Sequence, residues 1–158
     1  MKTRLLAAAL FAMAILQRPR AAVGGREDAL VGAWRLVSLD EPGAGGALHR
    51  ADCTGLLVFT GDGHMSVQVL YRSAEPPAGT GSEYAQGGYE ASFGRYDVDA
   101  RSGTFTFRVE GALVRSLIGK ALPRRFELSG GRLVITSTDP KERWRVIWAK
   151  DPGTTNAR

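Results

Sequence analysis

The residues best suited to chemistry are aromatic. Tyr71, Tyr84, Tyr89, Tyr96, Phe105 and Phe107 fall between residues 71 and 107. Rings with a few polar partners are what a small-molecule pocket needs, and equally what fills a core. Gln68 and Arg108 alternate out of phase with the apolar residues around them. In a barrel with a partly covered outer face they would line the lumen, where Arg108 would pair a ligand carboxylate through its guanidinium fork. The candidate ligand-binding set is therefore Gln68, Tyr71, Tyr96, Phe105, Phe107 and Arg108, and the expected partner is a small apolar or amphipathic molecule.

Other chemistry is poorly supplied. Cys53 is the only cysteine, so no intrachain disulfide can form. A reactive thiol needs a nearby cation or helix N-terminus; His49 and Arg50 lie near Cys53, but a small, half-buried side chain is the better reading. His49 and His64 are the only histidines and form no cluster with a cysteine, so no metal is expected. Gly61-Asp62-Gly63 lacks the helix and Lys-Ser/Thr of a phosphate cradle and reads as a hairpin turn. Asp97 and Asp99 share one face of a strand, as a carboxylate pair for acid–base work would, but a solvated face is favoured. Arg124-Arg125 with Arg143 and Arg145 read as solvent-facing strand residues rather than a basic patch. No catalytic residue and no cofactor emerges.

Short strands must position these residues. Period-two alternation dominates, broken by glycine-rich turns, which indicates an all-β sandwich or barrel. Eight strands are expected: Leu30 to Leu39, Gly55 to Thr60, His64 to Arg72, Ser92 to Asp99, Thr104 to Glu110, Arg124 to Leu128, Arg132 to Ser137 and Arg143 to Lys150. Residues 40–54 read as a long loop. Met65, Val67, Val69 and Tyr71 share a face of the third strand; Phe105, Phe107 and Val109 share a face of the fifth. Pro76-Pro77 breaks the rhythm after the third strand, and Ser82 could cap a short helix after it. Glu83 to Ser92 reads as a marginal helix or an ordered loop, since Gly87-Gly88 weakens a helix by about 1 kcal/mol per glycine. Ala112 to Ala121 could extend a strand or form a loop around Gly119. Eight strands in hairpin order can close into an up-and-down barrel, which removes exposed edges and either fills with side chains or holds one small ligand.

The N-terminus carries its own signal. Met1-Lys2-Thr3-Arg4 precedes an apolar run from Leu5 to Leu16. This basic head and short apolar stretch have the form of a secretory signal peptide, too short to span a bilayer comfortably. Cleavage is expected near Ala22, although Arg20 occupies a place where a small residue is preferred; an uncleaved anchor or a mis-assigned start is the alternative. The formal charge of +5 comes from 21 basic and 16 acidic residues. Loss of Lys2, Arg4, Arg18 and Arg20 would leave 17 against 16, so the mature chain gives little support for nucleic-acid or anionic-membrane binding. The expected organisation is a signal peptide at 1–22, a linker at 23–29, one domain at 30–150 and a loose tail at 151–158.

The ordered segments Leu30 to Ser38, Gly55 to Thr60, Asp62 to Gln68, Phe93 to Asp99, Arg125 to Leu133 and Val146 to Trp148 resemble the lipocalin-like domains of the calycin group in bacteria and fungi. The resemblance covers nearly all of the expected mature chain. Gly32-Ala33-Trp34 looks like the Gly-x-Trp signature of calycins, whose tryptophan closes one end of the barrel beneath a cation from the last strand. It implies a structural closure of Gly32, Trp34 and Lys150, with Lys150 in place of the usual arginine; Arg143 or Arg145 could substitute. Many relatives carry paired histidines where this chain reads Phe107-Arg108, a departure that weighs against catalysis. The expectation is an exported lipocalin-like protein that binds a small molecule in its barrel. The alternatives are an isomerase or cyclase of secondary metabolism that works by orientation, or a structural envelope protein with a filled barrel.

Overall fold

The computed structural model describes residues 24–43, 45–73 and 83–153. The expected signal peptide, the Ser82 cap, most of the Pro76-Pro77 loop and residues 154–158 of the expected tail lie outside the described residues. A short helix, α1 (Gly24–Leu30), leads into nine strands: β1 (Gly32–Pro42), β2 (Leu48–Arg50), β3 (Cys53–Phe59), β4 (His64–Tyr71), β5 (Tyr89–Asp99), β6 (Thr104–Ala112), β7 (Ala121–Ser129), β8 (Arg132–Ser137) and β9 (Arg145–Lys150). Neighbours pair antiparallel, and β9 pairs back onto β1, so eight strands close into a barrel with β2 added at the end of β1. Closure satisfies the backbone groups that an open sheet would leave at its edges.

All eight expected strands are present, within a few residues of their expected ends. The differences have local causes. The loop expected over 40–54 contains β2, which pairs Leu48 with Pro42 and Arg50 with Asp40. Residues 24–30, expected within a linker and the start of a strand, form α1. Glu83 to Ser92 is not helical: a turn at residues 83–84 leads to a bridge between Gln86 and Tyr89, and β5 begins at Tyr89. Gly87 and Gly88 have φ of +61° and +74°, the left-handed conformation of a tight hairpin, which a helix cannot contain. Ala112 to Ala121 holds a single 3-10 turn at Arg115–Leu117 rather than continuous strand.

Antiparallel connections divide the barrel into two ends. The turns at residues 60–63, 100–103 and 130–131 sit at one end with α1; the described parts of the longer connections, at 45–52, 72–73, 83–88, 113–120 and 138–144, sit at the other. The first end is closed. Leu30 and Trp34 are buried there, and the Trp34 indole donates to the Leu30 carbonyl at 2.7 Å. Lys150 Nζ stands 4.4 Å from the Trp34 ring centre and donates to the Val31 carbonyl. Gly32, at φ +127°, leaves room for that ammonium: a Cβ would lie 2.9 Å from Lys150 Nζ. Deeper in, Phe59 packs edge-on against Tyr96 and Phe105, at 4.9 and 5.6 Å between centroids. Perpendicular rings of this kind contribute beyond the area they bury.

Candidate functional site

The second end opens into a cavity of about 210 Å³. Strand alternation supplies its apolar wall: Met65, Val67, Val69 and Tyr71 from β4, Phe105 and Phe107 from β6, Leu57 from β3 and Trp148 from β9. Exposed Glu83, Lys141 and Arg143 border it.

Polar groups enter this wall at four positions. Glu41, near the end of β1, is 2% exposed and accepts a hydrogen bond from the Tyr71 hydroxyl at 3.1 Å on Oε2. Its Oε1 has no hydrogen-bond partner, and His49 Nε2 lies 4.0 Å away, beyond hydrogen-bond reach. Burial pushes the Glu41 carboxyl above its ordinary value, against the lowering effects of Tyr71 and His49. The side chain of Glu90, near the start of β5, makes no hydrogen bond or ion pair among the described residues. Burial raises its carboxyl to about 7; Arg124 opposes the shift and Glu41 adds to it. Ser92 lies two residues further along the same inward face.

Arg124 of β7 is the fourth, and it is 7% exposed. Nη1 donates to Glu142 at 3.2 Å, to Ser137 and to the Pro123 carbonyl; Nη2 donates to the Tyr84 hydroxyl at 2.9 Å. The guanidinium also lies over two rings, 4.9 Å from the centre of Trp144 and 5.5 Å from that of Tyr84. Glu142 accepts from the Trp144 indole as well, at 3.2 Å. A buried cation needs such a set of partners, because an unpaired charge out of water is costly. The cluster fixes Tyr84 and Trp144 at the mouth, edge to face.

The sequence-expected site residues separate into three groups. Tyr71, Phe105 and Phe107 line the cavity. Tyr96 is buried toward the closed end, where its hydroxyl donates to the Thr60 carbonyl at 2.9 Å, and it does not line the cavity. Gln68 and Arg108 are on the outer face, correcting their expected lumenal placement. Gln68 is exposed and accepts from Tyr89 at 3.0 Å; Arg108 is exposed and pairs with Asp97 at 3.0 Å. The reason is pleat geometry: residues out of phase with an inward apolar face point outward. Arg124 departs the other way, buried where a solvent-facing residue was expected, while Arg125 is exposed. Asp99 accepts from the backbone of Arg101 and Ser102 in its turn, and Asp62 pairs with His64 in the β3–β4 hairpin. Burial first, then Glu41, Asp52 and Glu90, push the Cys53 thiol up to about 11, so it stays protonated. Among the described residues, no group of three or more His, Cys, Asp or Glu is placed to hold a metal ion.

A lipocalin-like domain pattern matches residues 31–150, the whole closed barrel. The chain belongs to the lipocalin-like domain family. Among solved structures, this lipocalin-like barrel is similar to a lipocalin-like protein from Bacteroides uniformis, at 18% identity and a TM-score of 0.46, with 77% of this chain and 98% of that chain covered. It is also similar to an uncharacterised protein from Bacteroides eggerthii, at 12% identity and a TM-score of 0.44, covering 77% and 99%. No curated protein matches it. No helix among the described residues is long and apolar enough to cross a membrane.

Glu41, Glu90, Arg124 and the Tyr84–Trp144 pair were missed by sequence reasoning. For Glu90 and Arg124 a signal existed. Glu90 is in phase with Ser92, Gly94 and Tyr96, so extending that alternation by two residues puts it inside; Arg124 already lay within its expected strand, in phase with inward Phe126. Glu41 had no such signal. The β1–β9 register shifts between Leu36 and Ser38, and this irregularity moves Leu39 and Glu41 onto the inward face.

Proposed function

We propose that this lipocalin-like barrel is an exported binding protein for a small amphipathic molecule, held in the open-ended cavity. The observation that carries the reading is the cavity itself: an apolar wall, aromatic rings at the mouth and a few polar side chains, the composition of a ligand site. Its volume of about 210 Å³ lies below the roughly 300–1,000 Å³ of drug-sized pockets. A compact ligand suits it, or a longer one whose tail leaves by the mouth. Export rests on the Met1 to Leu16 segment, and N-terminal sequencing of the mature protein from the culture medium or envelope fraction tests it.

A second reading has one specific observation behind it. A carboxyl poised near neutrality in an apolar cavity, as Glu90 is, suits proton transfer to or from a bound substrate. Turnover of the bound compound separates that isomerase-type enzyme from a carrier.

The direct test is native mass spectrometry of the protein purified gently from its own host. A stoichiometric extra mass that leaves on mild activation supports the binding reading and gives the ligand class. A bare mass that persists after incubation with fatty acids, aliphatic amines and aromatic metabolites overturns it in favour of a structural role.

A further inference from the structure

Resting on the binding reading, we infer that the polar end of the ligand is a protonated amine, received by Glu41 and Glu90. Glu41 Oε1 accepts no hydrogen bond, with His49 Nε2 4.0 Å away, although the residue is only 2% exposed and lines the cavity. A buried acceptor without a donor costs free energy, and a ligand donor would relieve it. Glu90 lines the same wall with no donor of its own, and the Glu41 charge adds to its hold on a proton. An ammonium carries three donors and a charge, enough to serve both carboxylates at once.

An anionic head group is disfavoured by the same geometry. The buried cation of the wall, Arg124, is already paired to Glu142, bonded to Tyr84 and covered on its faces by Trp144 and Tyr84. A ligand carboxylate would meet two further carboxylates with that guanidinium's charge already offset. Arg108, the other arginine considered for the role, is outside the barrel. The other titratable groups around the two glutamates are the Tyr71 hydroxyl, the Cys53 thiol, His49 and the Arg124–Glu142 pair, and at the mouth the exposed Glu83, Lys141 and Arg143, whose charges water screens. The thiol and the hydroxyl are neutral at pH 7, since burial raises both. An arriving ammonium favours the ionised form of Glu90, so binding tightens as pH rises through about 7.

The test uses three probes of one chain length: n-decylamine, decanoate and 1-decanol, titrated into the purified protein by calorimetry at pH 6 and pH 8. The expected result is tightest binding of decylamine, at least tenfold over decanoate at pH 8 and stronger at pH 8 than at pH 6. Glu90→Gln and Glu41→Gln should each weaken decylamine binding at least fivefold and decanol binding by much less. Two isosteric variants keep the test open if one fails to fold, as read by far-ultraviolet circular dichroism. Decanoate or decanol binding as tightly as decylamine, or decylamine binding unmoved by the folded variants, overturns the amine and leaves the binding cavity standing. Failure of all three probes to bind overturns the amine and counts against the binding reading itself.

Discussion

Lys150 and Trp34 form the cap of the closed end: the ammonium nitrogen stands 4.4 Å from the indole centre and donates to the Val31 carbonyl. The open end repeats the chemistry with different parts, since Arg124 lies 4.9 Å from the Trp144 ring centre. At the closed end the indole is 2% exposed and its N–H is bonded within α1. At the open end the ring is only partly buried and borders the cavity. One cation–indole pair therefore seals the barrel, and the other shapes its entrance.

The closed-end cap should matter for stability and little for ligand. Trp34→Phe removes a buried hydrogen bond and ring volume and should cost about 2–4 kcal/mol in urea unfolding. Lys150→Ala, which removes an exposed cation from the ring face, should cost about 1 kcal/mol or less. Neither change touches the cavity wall, so probe affinity in the folded fraction should be unchanged.

Glu90 should make stability fall as pH rises through a defined window. Its carboxyl goes from an ordinary 4.5 to about 7 in the fold, so the folded state binds its proton more tightly than the unfolded chain does. The resulting stabilisation is full below about 4.5 and is lost as pH climbs to about 7. Glu41, also raised, acts in the same sense. Asp62, Asp99 and Asp151 are lowered and act oppositely, but only below their ordinary 3.8. Melting temperature should therefore decline between pH 5 and 7 in the wild type, and Glu90→Gln should flatten that decline. A wild-type profile that rises across the window would contradict the assignment.

How much of the barrel and its cavity was legible in the sequence depended on strand phase. The inward set of β4 and β6 was readable because Met65, Val67, Val69 and Tyr71, like Phe105, Phe107 and Val109, keep unbroken period two. The same periodicity, followed strictly, sends Gln68 and Arg108 outward; placing them in the lumen required an assumption about the outer face that the alternation did not contain. Glu41 was not readable, because the irregularity after Leu36 changes the phase of β1. The Tyr84–Arg124–Trp144 cluster joins two loops and a strand, with Tyr84 and Arg124 40 positions apart, and nothing local in the sequence couples them.

The mouth cluster should behave as one unit. Arg124→Met removes the charged donor to Glu142, which keeps only the Trp144 indole, and the donor to the Tyr84 hydroxyl, so it should destabilise by about 2–3 kcal/mol. Glu142→Gln should cost less, because that side chain is 20% exposed. The double variant should cost less than the two together, with a coupling of about 1–2 kcal/mol in a double-mutant cycle. Additive losses would show that the pair does not interact.

Gly94 should tolerate no side chain. The β5–β6 register shifts between Phe93 and Gly94, and a Cβ on Gly94 would lie 2.0 Å from the Arg108 carbonyl oxygen and 2.8 Å from the Glu110 nitrogen. Both are backbone atoms of the neighbouring strand, so relief requires parting the two strands rather than turning a side chain. Gly94→Ala should therefore cost about 3 kcal/mol or more. Because β5 carries Glu90 and Ser92 into the cavity four and two residues earlier, the disturbance should reach the site as well. Gly61→Ala is the control, since a Cβ there meets nothing within 4 Å. Its unfolding free energy should stay within about 0.5 kcal/mol of the wild type. Equal stability of the two variants would mean that the strands part cheaply at the bulge, and the close approach at Gly94 would then have no role in holding the cavity wall.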